Sequence, residues 1–229
     1  MIDLHADPEL ERLFNRFVEQ EVKAQSRLDG RTRMLAVLSA LVGSGGTEAF
    51  RLSLEDMQES GLGAIAIREV LYQATAYVGI GRVLPFLAVF NEQVETAALP
   101  EQGTTDEHNR QQKGSDVQVA IFGEAMRGFA SSGPEEKRHI NRWLAANCFG
   151  DYYTRGGLDL QERELATFCF LASSGGCEPQ LCAHIKGNDH LGNGRLFLID
   201  VVSQMLPYIG YPKSLNALRC IDKVLGNSR

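Results

Sequence analysis

One segment of the chain occurs twice, as RMLAVLSALVGSGGTE at residues 33–48 and as RELATFCFLASSGGCE at residues 163–178. Each copy is apolar on nearly every side of a helix and then stops at two glycines. A helix that is apolar all round is buried, and glycine commonly follows a helix C-terminus. We therefore expect residues 31–42 and 162–172 to form the buried central helices of two related bundles.

The repeat extends to both sides of this segment. Before it, PELERLFNRF at residues 8–17 matches PEEKRHINRW at residues 134–143 in its proline, first glutamate, two arginines and asparagine. After it, the matched pairs are Val70 and Val201, Gln73 and Gln204, Tyr77 and Tyr208, Gly79 and Gly210, and Leu84 and Leu215. The copies drift apart by single loop residues, as duplicated helical units do, because loops tolerate insertions that helices do not. The sequence predicts an all-α tandem repeat.

A polar stretch separates the two copies. Residues 98–114 contain proline and glycine and show no apolar periodicity, so they are interpreted as a linker. This places a first module at residues 1–97 and a second at residues 115–229. A short amphipathic helix is predicted at residues 117–129, and the alternative is that this helix belongs to the first module's bundle. Few alternating Val, Ile and Thr runs occur, so strands are not expected.

Composition excludes several classes of protein. The 229 residues are 44% hydrophobic and 23% charged, which is typical of a globular protein. The net charge of -6 and the absence of Lys/Arg runs argue against a nucleic-acid-binding surface. The longest apolar stretches are far shorter than a membrane span, and the acidic N-terminus lacks the features of a signal peptide. We expect a cytoplasmic protein that binds neither membrane nor nucleic acid.

The cysteines lie in the C-terminal half and are odd in number, which is unlike a secreted disulfide framework. Cys148, Cys169 and Cys220 are expected to be small buried core residues. Cys177 differs, because Pro179 is predicted at the first position of a helix, with Glu178 as its N-cap. A thiol just before a helix N-terminus is favoured as thiolate by the positive end of the helix dipole. This pattern predicts a nucleophile.

His184 follows Cys177 by two helical turns and therefore projects from the same side. Cys182 occupies the fourth helical position, where a side chain commonly packs against the residue before the N-cap. That contact permits either a redox pair of thiols or a simple packing contact, and both interpretations stay open. The first module has Thr47 in place of Cys177 and Leu54 in place of His184. Only the second module is predicted to carry chemistry.

Three charged residues are further candidates. Glu164 has Met34 as its counterpart in the first module, and it is predicted to orient His184 or to pass protons to it. The alternative is an exposed first-turn glutamate that complements the helix dipole. Arg163 and Lys186 are candidates for binding an anionic substrate, although Arg163 has an arginine counterpart in the first module. These residues complete the predicted site.

A metal centre is not expected. Cys177, Cys182, His184 and His190 lack the close pairing of ligands found in structural zinc sites. The glycines at 192 and 194 open a helix without a preceding strand, so they do not form a phosphate-binding loop. The sequence therefore predicts no cofactor.

Four stretches of the chain carry a family resemblance. They are LDGRTR at residues 28–33, FGDYYTRGGLDLQEREL at 149–165, GGCEPQLCAH at 175–184 and LPYIGYP at 206–212. Together they resemble the carboxymuconolactone decarboxylase family in its two-module form, over nearly the whole chain apart from the linker. The resemblance implies alkyl hydroperoxidase D-like helical bundles that assemble into symmetric homo-oligomers, with two-module chains forming trimers.

The resemblance implies two different activities. One branch of the family consists of cofactor-free decarboxylases of a muconolactone in aromatic catabolism. The other resembles the alkyl hydroperoxidase D-type proteins, which reduce peroxides through a Cys-x-x-Cys pair, a histidine and a glutamate. Cys177, His184 and Glu164 match that second pattern, but its second cysteine falls on Gln180. Cys182 would then have to serve as the resolving thiol, with a cellular thiol reductant reopening the disulfide.

The sequence favours a thiol-dependent, peroxidase-like activity, since the polarised Cys177 is what distinguishes the second module. The first alternative is a cofactor-free decarboxylase of a lactone acid such as 4-carboxymuconolactone, in which His184 donates a proton to the carbanion left by carbon dioxide. The second alternative is a non-catalytic oligomer that binds a small molecule. The expected partners are a small-molecule substrate and, for the peroxidase, a thiol reductant.

Overall fold

The computed structural model describes residues 6–226, and all of the regular structure in this range is helical. The predicted all-α fold is confirmed. Part of the acidic N-terminal segment, at residues 1–5, lies outside the described residues. No helix in residues 6–226 combines the length and apolarity needed to cross a membrane. The helices are α1 (Pro8–Arg16), α2 (Gly30–Ser44), α3 (Thr47–Glu59), α4 (Ala64–Val78), α5 (Ile80–Gln93), α6 (Arg110–Phe122), α7 (Arg138–Trp143), α8 (Leu160–Ser174), α9 (Glu178–His190), α10 (Arg195–Ile209) and α11 (Tyr211–Leu225).

The duplication is visible in the order of the helices. Helices α2 to α5 form one set and α8 to α11 form the other, and each set follows a short helix, α1 or α7, that widens into a π-helical segment. These segments are Phe17–Val22 and Leu144–Tyr153. Asp29 and Asp159 cap the two central helices, α2 and α8, at their N-termini. Both helices end at a glycine with positive φ, as the repeated sequence predicts.

The two modules share one hydrophobic core instead of forming separate bundles. Helices α2 and α8 pack against each other, while α4 of the first module contacts both of them. At the crossing, a side chain at Gly43 would place its Cβ 2.0 Å from the Ser173 hydroxyl and 2.7 Å from the Phe170 carbonyl. Only glycine permits this close approach of the helices. Helices α2 and α4 of the first module therefore pack directly against α8, the central helix of the second module.

The linker between the modules is shorter than predicted. The interpretation of residues 98–114 as a linker is wrong at its C-terminal end, because α6 already begins at Arg110. The helix predicted at residues 117–129 instead ends at Phe122, where Gly123 has a φ of 87°. Helix α6 packs against the π-helical segment after α7 and against α9, so it belongs to the second module.

Glycine explains why the start of α6 carries no apolar pattern. A Cβ at Gly114 would lie 1.9 Å from the carbonyl oxygen of Ala145, and a Cβ at Gly150 would lie 2.3 Å from the carbonyl oxygen of Arg110. The two helical segments thus cross with their backbones almost touching. So close a crossing requires glycines at the contact, where a helix usually carries apolar side chains. The spacing of apolar residues in the sequence therefore does not predict the start of α6.

Candidate functional site

A histidine and a glutamate form a pair at the centre of the second module. Nδ1 of His184, on α9, lies 2.8 Å from Oε2 of Glu164, on α8. Glu164 is fully buried, so the alternative of an exposed first-turn glutamate is wrong. A carboxylate only accepts hydrogen bonds, so Nδ1 donates its proton to Glu164 and Nε2 is the nitrogen left to exchange a proton. Nε2 makes no hydrogen bond to any residue between 6 and 226 and is free for a ligand.

Aromatic rings fix the orientation of the His184 ring. Tyr77 packs against it edge to face with ring centroids 5.6 Å apart, and Phe122 does so from 5.3 Å. Asn188, one turn later on α9, donates hydrogen bonds of 2.9 Å to the backbone carbonyls of both Glu164 and His184. The pair is therefore held by packing and by hydrogen bonds between α8 and α9.

A chain of hydroxyl groups supports the Glu164 carboxylate from behind. The Tyr153 hydroxyl donates to Oε1 of Glu164 over 2.8 Å, and the Tyr77 hydroxyl donates to that of Tyr153 over 3.0 Å. The Cys148 thiol donates to Tyr77 over 3.5 Å. Burial raises the pKa of both tyrosines well above the ordinary value and that of Cys148 to about 12. All three groups stay protonated at neutral pH and act as donors to the site.

A pocket of about 990 Å³ lies in front of His184, a volume that suits a small organic molecule. Its walls come from α6, the π-helical segment after α7, α9 and the C-terminal end of α4. Most of the surface that faces into the pocket is apolar. The polar or ionisable side chains that line it are Tyr77, Gln118, Cys148, Cys177, Gln180, Cys182, His184, Lys186 and His190.

Cys177 lines this pocket, but its environment differs from the predicted one. It is itself the N-cap of α9, so the helix begins one residue earlier than predicted. Its thiol donates a hydrogen bond of 3.3 Å to the Leu171 carbonyl. Burial, followed by the charge of the adjacent Glu178, raises the pKa of Cys177. Burial of Cys177 thus opposes the thiolate that the helix N-terminus is predicted to stabilise.

We expect Cys177 to react slowly with iodoacetamide at neutral pH. A raised pKa lowers the thiolate fraction at pH 7, and the thiolate is the reactive form. The alkylation rate should reach half its maximum only above about pH 8.5, the ordinary pKa of a cysteine. Peptide mass spectrometry of samples quenched over a pH series measures this rate. A midpoint below pH 7.5 would restore the nucleophile that the sequence predicts.

Cys182 lines the same pocket but has a different partner. Its thiol lies beside that of Cys220 on α11, and burial together with this neighbour raises the pKa of Cys220 to about 11. No hydrogen bond joins Cys182 to Cys177 in the described part of the chain. Both are free thiols, so no disulfide joins them in this structure. Cys148, Cys169 and Cys220 are buried free thiols, as predicted.

The predicted substrate-binding residues separate in the structure. Arg163 is fully buried, and its guanidinium donates to Gln73, to Glu69 and to two backbone carbonyls. Its assignment to an anionic substrate is wrong, because these partners hold it between α8 and α4. Lys186, in contrast, lines the pocket. Between residues 6 and 226, no three His, Cys, Asp or Glu side chains are placed to hold a metal ion.

The first module contributes to this site without having one of its own. Leu54 and Met34, the counterparts of His184 and Glu164, are both buried apolar residues. Yet Tyr77 of the first module contacts the His184 ring and completes the hydroxyl chain. Sequence reasoning missed Tyr77 and Tyr153 as site residues. In the sequence, Tyr77 stands out only as the counterpart of Tyr208 in the repeat. Tyr153 stands out only as part of the family-like stretch at residues 149–165.

The model of the Carboxymuconolactone decarboxylase family matches the chain twice, at residues 8–92 and 139–223. None of the curated proteins compared with the chain matches it. The two matched stretches contain α1 to α4 with nearly all of α5, and most of α7 to α11, while α6 lies outside both. The chain therefore belongs to the carboxymuconolactone decarboxylase family and carries that family's domain twice in tandem.

Proposed function

We propose that this protein is a proton-transfer enzyme of the decarboxylase type, in which His184 protonates a substrate carbon after carbon dioxide leaves. The observation that carries the proposal is the 2.8 Å contact between His184 Nδ1 and Glu164 Oε2, with the imidazole lining an apolar pocket. A buried carboxylate behind an imidazole fixes its tautomer and stabilises its protonated form. The opposite nitrogen then exchanges a proton with a ligand.

The proposed step uses groups that the pocket provides. The bond between the substrate carbon and its carboxylate breaks, and the electron pair passes into a conjugated carbonyl as an enolate. The protonated His184 donates from Nε2 to the carbon, and the imidazole regains a proton from water. Lys186 supplies a positive charge for a carboxylate at the pocket wall. Apolar walls limit the access of water to the carbanion.

A second candidate is the reduction of a hydroperoxide by Cys177. The observation that favours it is that Cys177, Cys182 and His184 line one pocket. The thiolate would attack the O–O bond and become a sulfenic acid, an alcohol would leave, and a thiol reductant would restore the cysteine. Against it stand the raised pKa of Cys177, its hydrogen bond to Leu171 and the placement of Cys182 beside Cys220. Proton transfer fits the geometry better.

We expect the protein to release carbon dioxide from 4-carboxymuconolactone and to place one solvent deuteron on the product carbon in D₂O. The deuteron follows because the proton that His184 donates exchanges with solvent. Carbon dioxide is measured by a coupled assay and the deuteron by mass spectrometry. Cumene hydroperoxide with dithiothreitol should be consumed no faster than without protein. Catalysed peroxide consumption without carbon dioxide release would instead favour the thiol reaction.

A further inference from the structure

Gln118 on α6 is a buried amide without a partner. It is 1% exposed, and neither Nε2 nor Oε1 makes a hydrogen bond within residues 6–226. The other buried side-chain atoms without partners are Nε atoms of arginines, each of which donates through another nitrogen of its guanidinium. Burying both ends of an amide unsatisfied disfavours folding. A purely structural role therefore does not explain Gln118.

Gln118 is one of the residues that line the pocket in front of His184. It precedes Phe122 by four residues, so the two lie on the same face of α6. The Phe122 ring contacts that of His184 with centroids 5.3 Å apart. Gln118 therefore sits about one helical turn along the wall from the residue that packs on the proposed acid.

We propose that Gln118 is the substrate-recognition residue of this pocket, and that it binds a carbonyl group with a hydroxyl or N–H group beside it. An amide offers an acceptor and a donor side by side, and both are unused. A carboxylate or a simple ketone would satisfy Nε2 but leave Oε1 without a donor. The preferred substrate is thus a lactone acid that also carries a neutral O–H or N–H donor beside a carbonyl, whereas 4-carboxymuconolactone, which lacks that donor, pairs with Nε2 alone.

This inference rests on the proposed function only in placing the substrate in the same pocket. During decarboxylation, the Gln118 amide would donate from Nε2 to the carbonyl oxygen that takes up the electron pair. A donor aimed at an oxygen that becomes negative favours the transition state over the ground state. Helix α6 lies outside both stretches matched by the family model. Gln118 therefore lies outside the part of the chain that the family model covers.

Two small probes test the inference without any turnover. Benzamide carries a donor beside its carbonyl, whereas acetophenone carries the carbonyl alone. We expect NMR titration to give benzamide a dissociation constant about tenfold lower, since it alone pairs with both ends of the amide. In Gln118→Met the two constants should be equal, and the ligand-free variant should melt no lower than the wild type. Gln112→Met, at an exposed position of the same helix, should keep the tenfold ratio.

Equal binding of the two probes by the wild type would overturn the inference, and so would failure of both to bind. A ratio that persists in Gln118→Met has the same consequence. A lower melting temperature for that variant would also overturn it, because it would reveal a structural partner for the amide. His184→Gln should retain the probe ratio while losing turnover. The turnover rate therefore tests proton transfer, and the ratio of the two dissociation constants tests recognition by Gln118 separately.

Discussion

His184→Gln should slow carbon dioxide release by about 10²–10⁴-fold, the range of a lost general acid. Glutamine can keep a hydrogen bond to Glu164, but it cannot hold and deliver a proton. The other histidine that lines the pocket, His190, does not contact Glu164 and has its Nδ1 at the Ile121 carbonyl instead. The turnover number, measured with saturating substrate, checks this expectation.

The control for this variant is His108→Gln, because His108 is exposed in the loop before α6. It should leave the turnover number unchanged. The circular dichroism and melting temperature of His184→Gln should stay close to the wild type, so that loss of rate is not loss of fold. Retention of more than about a tenth of the wild-type rate would remove His184 from the role of proton donor.

Glu69→Ala should lower the free energy of unfolding by about 3–5 kcal/mol, as expected when a buried charge loses its partner. Glu69 and Arg163 are both fully buried, with the guanidinium 3.2 Å from the carboxylate. Arg155 pairs with the same carboxylate over 2.9 Å. Alanine would leave the buried Arg163 without a counter-charge between the modules. Urea denaturation measures the loss.

The repeat itself provides a matched control for Glu69. Asp200 occupies the corresponding position in α10, but it pairs over 2.8 Å with Arg27, whose side chain is 63% exposed. Surface ion pairs contribute about 0–1 kcal/mol, so Asp200→Ala should change stability far less. Similar losses for the two variants would show that the Glu69 network does not join the modules in the way described.

The central helices were predictable because their signal is local. Residues 31–42 and 162–172 are apolar all round and end at glycines, and the helices observed there are α2 and α8, Gly30–Ser44 and Leu160–Ser174. The start of α6 was not predictable, because its packing depends on the contact of Gly114 with a distant backbone. From sequence alone, a glycine in a polar stretch predicts a loop. Only the structure shows that this glycine packs against the backbone of another helical segment.

The site shows the same division between local and distant signals. His184 and Glu164 stood out because the first module has leucine and methionine in their places. For Cys177 the sequence shows a helix start, but it does not show the burial of the thiol or its hydrogen bond to the Leu171 carbonyl. Arg163 was misassigned for a related reason: its partner Glu69 lies in the other module. Contacts between modules carry no periodic signature in the chain.

Those contacts also explain what the module without the His–Glu pair does. It supplies Tyr77 to the ring of His184 and to the hydroxyl chain behind Glu164. It also supplies Glu69 and Gln73, which hold Arg163 beside Glu164 on α8. The first module therefore acts as a scaffold that shapes the second module's site, even though it has no acid–base pair itself.

Turnover by Cys177→Ser decides between proton transfer and thiol chemistry. The variant removes the sulfur but keeps a small polar side chain at the N-cap of α9, where serine is favoured. Its rate of carbon dioxide release should be compared with that of His184→Gln under the same conditions. We expect Cys177→Ser to work at the wild-type rate. A loss as large as that of His184→Gln would contradict the assignment of the chemistry to the histidine–glutamate pair.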